Sequence, residues 1–123
     1  MEINQISGAI INAAMKVHSS LGPGLLESAY EACLIYELRK EGFDVKAQLP
    51  LPVLYEGVKI DAGYRIDLLI EDTIVVELKT VERLLPVHQA QLLSYLKLSG
   101  KRAGLLINFH VAHLRDGIKR LMN

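Results

Sequence analysis

Ile3, Ile6, Ile10, Ala13, Val17 and Leu21 recur at steps of three and four along the first stretch of the chain. That spacing places them on one face of a helix. The segment "LGPG" (Leu21–Gly24) stops it, because glycine and proline both interrupt helical backbone. A second helix is expected from Leu25 to Lys40, striped by Leu26, Ala29, Tyr30, Cys33, Leu34 and Leu38 and ended by "EGFD". The short connection predicts an αα-hairpin.

The period then changes. "VKAQLPLPVLYEG" reads as a strand whose two prolines suit an edge or a bulge. "VKIDAGYRIDLLI" is the next strand and "TIVVELK" the third. "PVHQAQLLSYLKLSG" is helical, with Pro86 near its first turn and Gly100 just past its end. "RAGLLINF" is short and wholly apolar, as suits a strand covered on both faces. In the tail, Asp116-Gly117 is a hairpin signal, while Ile118–Met122 also fits a helical turn; a short last strand is the favoured reading. The order ααβββαβ plus a short C-terminal element predicts an α/β (α+β sandwich) fold, a small mixed sheet flanked by helices.

With 123 residues, half of them hydrophobic, one domain over 1–123 with one core is expected. No apolar run approaches the ~18 residues of a membrane span, and the start lacks the basic region and cleavage site of a signal peptide. Cys33 is the only cysteine, which excludes an internal disulfide and a thiolate metal cage. A cytoplasmic protein is expected.

Net charge is zero but uneven. Residues 1–96 carry 8 Lys/Arg and 13 Asp/Glu, and residues 97–123 carry 6 Lys/Arg and 1 Asp. Lys97, Lys101, Arg102, Arg115, Lys119 and Arg120 make the basic end, either a solvated surface or a phosphate-facing patch. Neutrality argues against tight, indiscriminate nucleic-acid binding. With no Trp, 2 Phe and 5 Tyr, no aromatic stacking platform is evident.

The chemistry sits on the most apolar hairpin, "RIDLLIEDTIVVELKT". Glu77 and Lys79 are two apart on one strand and share a face, with Val76 and Leu78 opposite. A three-residue turn, Glu71–Thr73, pairs Ile70 with Ile74 and sets Asp67 against Glu77, whereas a two-residue turn would oppose Asp67 to Val76. Two carboxylates so close repel unless a cation joins them. Lys79 partly serves, and a divalent ion such as Mg²⁺ serves better, since it favours a few carboxylates together with water and phosphate oxygens. The alternative is a partly exposed ion-pair cluster on a sheet face.

Asp67, a turn, and Glu77-x-Lys79 resemble the core of PD-(D/E)XK nucleases, with Ile66 where proline usually precedes the aspartate. "GLLESAY" (Gly24–Tyr30) is similar to the Gly-x-x-Glu-x-x-Tyr signature of the GxxExxY family within that superfamily. "QLLSY" (Gln91–Tyr95) resembles the Gln-x-x-x-Tyr motif of RecB-like exonuclease domains. The resemblance spans nearly the whole chain. It implies a restriction-endonuclease-like core and a Mg²⁺- or Mn²⁺-dependent phosphodiesterase acting on DNA or RNA. Asp67 and Glu77 would ligate metal, with Glu27 completing the acidic set. Lys79 would position water or steady transition-state charge, and Gln91 and Tyr95 would line the opposite wall.

The residue pattern accommodates these roles beside simpler ones. Glu27 also suits the positive end of a helix dipole. Gln91 and Tyr95, four apart, also suit an ordinary packed helix edge. His18 reads as a satisfied, partly buried histidine and His88 as a helix cap or phosphate contact. A competing account is a non-catalytic or partner-dependent module on the same fold, a homodimer or a complex with another protein. A small-molecule phosphodiesterase ranks last, for want of a Gly-rich phosphate loop.

Overall fold

The first two elements of the computed structural model, which describes all of residues 1–123, are helices: α1 (Ile3–Leu21) and α2 (Glu27–Lys40). α1 buries Ile6, Ile10, Ala13 and Val17 of the face its periodicity predicts, and Ala14 beside them, whereas Leu21 at its end is exposed. The Gln5 side chain accepts the N–H of Glu2 at 3.0 Å and so caps its start. α2 begins two residues later than the apolar pattern suggests. Leu26 is extended (φ −67, ψ 145) and 76 % exposed, so it precedes the helix rather than joining its stripe. Tyr30, Leu34 and Leu38 form the buried face.

Two long strands are expected between α2 and the turn at Glu71–Thr73, and the chain breaks each in two. β1 (Val45–Pro50) and β4 (Arg65–Ile70) pair antiparallel, and the N–H of Leu51 extends the pairing to the carbonyl of Tyr64 at 2.9 Å. β2 (Val53–Tyr55) and β3 (Val58–Ile60) pair with each other alone, as a separate two-stranded ribbon. Between the pairs lie Pro52, which has no N–H to donate, and the turn Asp61–Gly63, where Asp61 Oδ1 accepts the N–H of Gly63. The ribbon is an arm continuing β1 and β4 beyond the sheet.

β5 (Ile74–Lys79) pairs antiparallel with β4, and Ile70 faces Ile74, as the three-residue turn requires. The helix α3 (Pro86–Ser99) then crosses to β6 (Ala103–Asn108), which runs parallel to β5. Such a pairing needs a crossover, and the apolar run of β6 is buried at every position. A 3₁₀ turn (Leu114–Gly117) precedes β7 (Ile118–Met122), antiparallel to β6. The tail is therefore a strand, with Asp116-Gly117 in the 3₁₀ turn rather than a two-residue hairpin.

The main sheet runs β1-β4-β5-β6-β7. One face carries α1 and α2 over Leu68, Ile70, Val76, Leu78, Leu105 and Ile107. The other carries α3, whose Leu92, Tyr95 and Leu96 pack on Ile66, Leu69, Val75 and Leu106. This mixed α+β arrangement agrees with a restriction-endonuclease-like core. No helix is long and apolar enough to cross a membrane.

Candidate active site

Strict alternation would keep Ile66, Leu68 and Ile70 on one face of β4. Instead Ile66 packs on the α3 side while Leu68 and Ile70 pack on the α1–α2 side. The strand turns over at Asp67. Across the ladder, between the pairs Ala47–Leu68 and Leu49–Ile66, stands Gln48 with φ 52. A left-handed non-glycine residue inside a strand is strained, and here the strain accompanies the change of face.

On its other side β4 parts from β5. The ladder ends at Leu68–Val76, and the next row would be Asp67 and Glu77. Their side chains take over the hydrogen bonds that the backbones give up. The N–H of Asp67 donates to Glu77 Oε2 at 2.8 Å, and the N–H of Leu78 donates to Asp67 Oδ2 at 2.9 Å. Each carboxylate is thus anchored by one oxygen. The strands fork, and two acids fill the fork.

Lys79 lies past the fork on β5. It makes no salt bridge; its Nζ donates to Gln91 Oε1 on α3 at 3.4 Å. The charge expected to sit between the carboxylates is therefore held to one side. β6 fixes this end of β5 from behind. Phe109 N–H donates to the Lys79 carbonyl, and the buried Asn108 side chain donates to and accepts from the backbone of Val81.

Electrostatics reflect the crowding. Glu77 is 4 % exposed, and its carboxyl is pushed up to about 8, first by burial and then by the charge of Asp67. Burial also raises Asp67, against the opposing pull of the Leu78 N–H and of Lys79. Glu27, the first residue of α2, is exposed at the surface, yet partial desolvation and then the charge of Asp67 raise its carboxyl. Tyr95 is raised by burial and then by Glu77 and Asp67, so its hydroxyl belongs to the same surroundings. No three His, Cys, Asp or Glu side chains stand together as a ready-made metal cage. The arrangement is a carboxylate pair, with Glu27 as an electrostatic neighbour.

Tyr30, of the Gly-x-x-Glu-x-x-Tyr signature, is fully buried. Its ring stacks on Phe109 at 4.5 Å. Its hydroxyl donates to the Gly22 carbonyl and accepts the N–H of Leu25 at 3.1 Å. It ties down the loop that delivers Glu27. His18 is buried, with Nε2 2.8 Å from the Val111 carbonyl, and His88 caps α3 by accepting the Leu85 N–H at 2.9 Å.

Three neighbours escaped the sequence reading. Gln48 Nε2 donates to Glu31 Oε1 on α2 at 2.8 Å and also lies against Asp67. Glu31 follows Glu27 by one helical turn, a spacing that would have pointed to it. Tyr64 packs edge-on against Tyr95 with ring centroids 6.1 Å apart. Nothing in the sequence distinguishes Gln48, because its role depends on a backbone conformation.

The basic end does not gather here. Lys101 is paired with Asp72 at 3.1 Å, Lys101 and Arg102 precede the end of β6 opposite Lys79, and Lys119 and Arg120 lie on β7, with β6 between them and β5. The largest surface cavity, about 580 Å³, lies elsewhere, between the end of α1 and the segment Ala112–Arg115. Asp67, Glu77 and Lys79 line none of the cavities, so size alone would misplace the site.

A forked β-hairpin thus holds Asp67, Glu77 and Lys79 beside a helix that carries Gln91 and Tyr95. The sequence profile of the PD-(D/E)XK nuclease superfamily matches residues 4–121, and the chain belongs to that superfamily. No curated protein and no solved structure matches the chain.

Proposed function

We propose that the chain is a metal-dependent nuclease that hydrolyses phosphodiester bonds of DNA or RNA, within the GxxExxY group of the superfamily. The fork of β4 and β5 carries this reading, because it anchors each carboxylate by one oxygen and leaves the second outside those backbone hydrogen bonds.

The donor set fits Mg²⁺ or Mn²⁺. Both are hard ions that take carboxylate oxygens, and Mg²⁺ commonly uses one or two carboxylates beside water and phosphate. The raised Glu77 carboxyl is the electrostatic counterpart, since a cation there would offset the burial and the Asp67 charge that resist its ionisation. Asp67 and Glu77 would hold the ion, with Glu27 joining from α2. When bound, the ion supplies acidification of water and charge neutralisation at the phosphate.

The remaining work belongs to the chain. Lys79 offers a point charge to a phosphate oxygen, and Gln91 keeps that ammonium beside the carboxylates rather than bonded to them. Tyr95 closes the wall on the α3 side. In the reaction the water oxygen bonds to phosphorus, one P–O ester bond breaks, and the proton lost from water ends on the leaving alkoxide.

The test is cleavage of labelled single- and double-stranded DNA and RNA with Mg²⁺ or Mn²⁺. Wild type should cut only with metal, and Lys79→Ala and Asp67→Asn should lose at least about 100-fold with fold retained. Equal cutting by all three proteins rejects the site. No cutting by wild type would favour the binding module on the same fold.

A further inference from the structure

Tyr64 precedes β4 by one residue and Asp67 by three. Its backbone is pinned by the Leu51 N–H, and its ring lies edge-on to Tyr95. Tyr95 itself is 6 % exposed, shares a buried cluster with Ile66, the neighbour of Asp67, and follows by one helical turn the Gln91 that holds Lys79. Tyr64 is 46 % exposed, so its contact with Tyr95 uses only part of the ring. An aromatic surface held by two partners, still open to solvent and bordering a phosphodiester site is what an unpaired base requires. Base–aromatic stacking needs an accessible π surface and tolerates any base. A base inside a duplex is already stacked on its neighbours and has no free face to offer.

We propose that Tyr64 stacks a nucleobase next to the scissile phosphate, and that the site therefore takes single-stranded nucleic acid or frayed ends rather than intact duplex. This rests on the nuclease reading and adds to it the class of substrate. The stacking surface that composition left inconspicuous is assembled from residues 31 positions apart, Tyr64 and Tyr95.

Binding tests it apart from catalysis. A short single-stranded oligonucleotide carrying 2-aminopurine is titrated with Glu77→Gln protein in EDTA and again with Mg²⁺. The matching duplex is the competitor. Tyr64→Ala and Tyr64→Phe are made in the same background, and circular dichroism checks their folds. Quenching of the base by the parent, single strand bound in preference to duplex, a loss of affinity of about 5- to 150-fold in Tyr64→Ala, and retention in Tyr64→Phe support the proposal. Affinity of Tyr64→Ala within twofold of the parent overturns it, as does equal or better binding of duplex. Should wild type cleave duplex alone, the nuclease reading stands and this one falls. Should neither strand form bind and wild type cleave nothing, both fall.

Discussion

Replacing Glu77 with Gln separates what the site requires from what the fold prefers. In the folded chain the Glu77 carboxyl is raised from 4.5 to about 8, chiefly by burial and then by Asp67. A carboxyl that holds its proton more tightly folded than unfolded stabilises the fold while protonated. That contribution is whole below about pH 4.5 and is lost as pH rises to about 8. Each pKa unit corresponds to about 1.36 kcal/mol. Ionisation therefore opposes folding by about 2 kcal/mol at pH 6 and about 4 kcal/mol at pH 8. Gln has the same shape, and its oxygen can accept the Asp67 N–H that Glu77 accepts at 2.8 Å. Glu77→Gln should gain stability over wild type by those amounts in EDTA, and the gap should widen with pH. Urea unfolding followed by circular dichroism at pH 5, 6, 7 and 8 measures it. Added Mn²⁺ should raise the Tm of wild type and leave the variant nearly unmoved. Parallel pH profiles for the two proteins, or a less stable variant at pH 8, would refute the reasoning.

Three further outcomes follow from the geometry. Gln48→Gly should be more stable than Gln48→Ala by about 1 kcal/mol, the reverse of the usual order in a strand, because the backbone at this position has a positive φ; denaturant midpoints decide it. Tyr30→Phe should cost about 1–3 kcal/mol in urea unfolding, since the Gly22 carbonyl and Leu25 N–H lose their partner. Gly117→Ala should cost about 1–3 kcal/mol, because its Cβ would meet the carbonyl oxygen of Asn108; a melt matching wild type would show that the turn yields freely.

The helices and the charged hairpin were legible because burial writes a period into the sequence. Ile6, Ile10, Ala13 and Val17 show it for α1, and the register of β4 against β5 followed from requiring Asp67 and Glu77 to share a row. Gln91 and Tyr95 were legible by helical spacing; Gln91 meets Lys79, and Tyr95 packs in the cluster of Ile66, beside Asp67. What escaped depends on geometry that no residue type announces. The prolines and glycine that break both long strands were visible, but the register change they impose, and the separate arm it creates, were not. The flip at Asp67 and the strain at Gln48 arise only when the strands are paired. Leu26 looked like part of an apolar stripe, yet it lies outside the helix because α2 starts at Glu27.

The substitution of carboxylates for carbonyls at the fork gives the sheet two resident reporters. Elsewhere in the ladder an amide donates to a carbonyl oxygen, whose charge does not change with pH. The amides of Asp67 and Leu78 donate to oxygens that titrate. Their proton and nitrogen resonances should therefore move when either acid gains a proton or a cation, while the amides of Val75 and Val76 remain in place. Two cross-peaks in a nitrogen-15 spectrum would follow the charge of the site with no substrate and no attached probe.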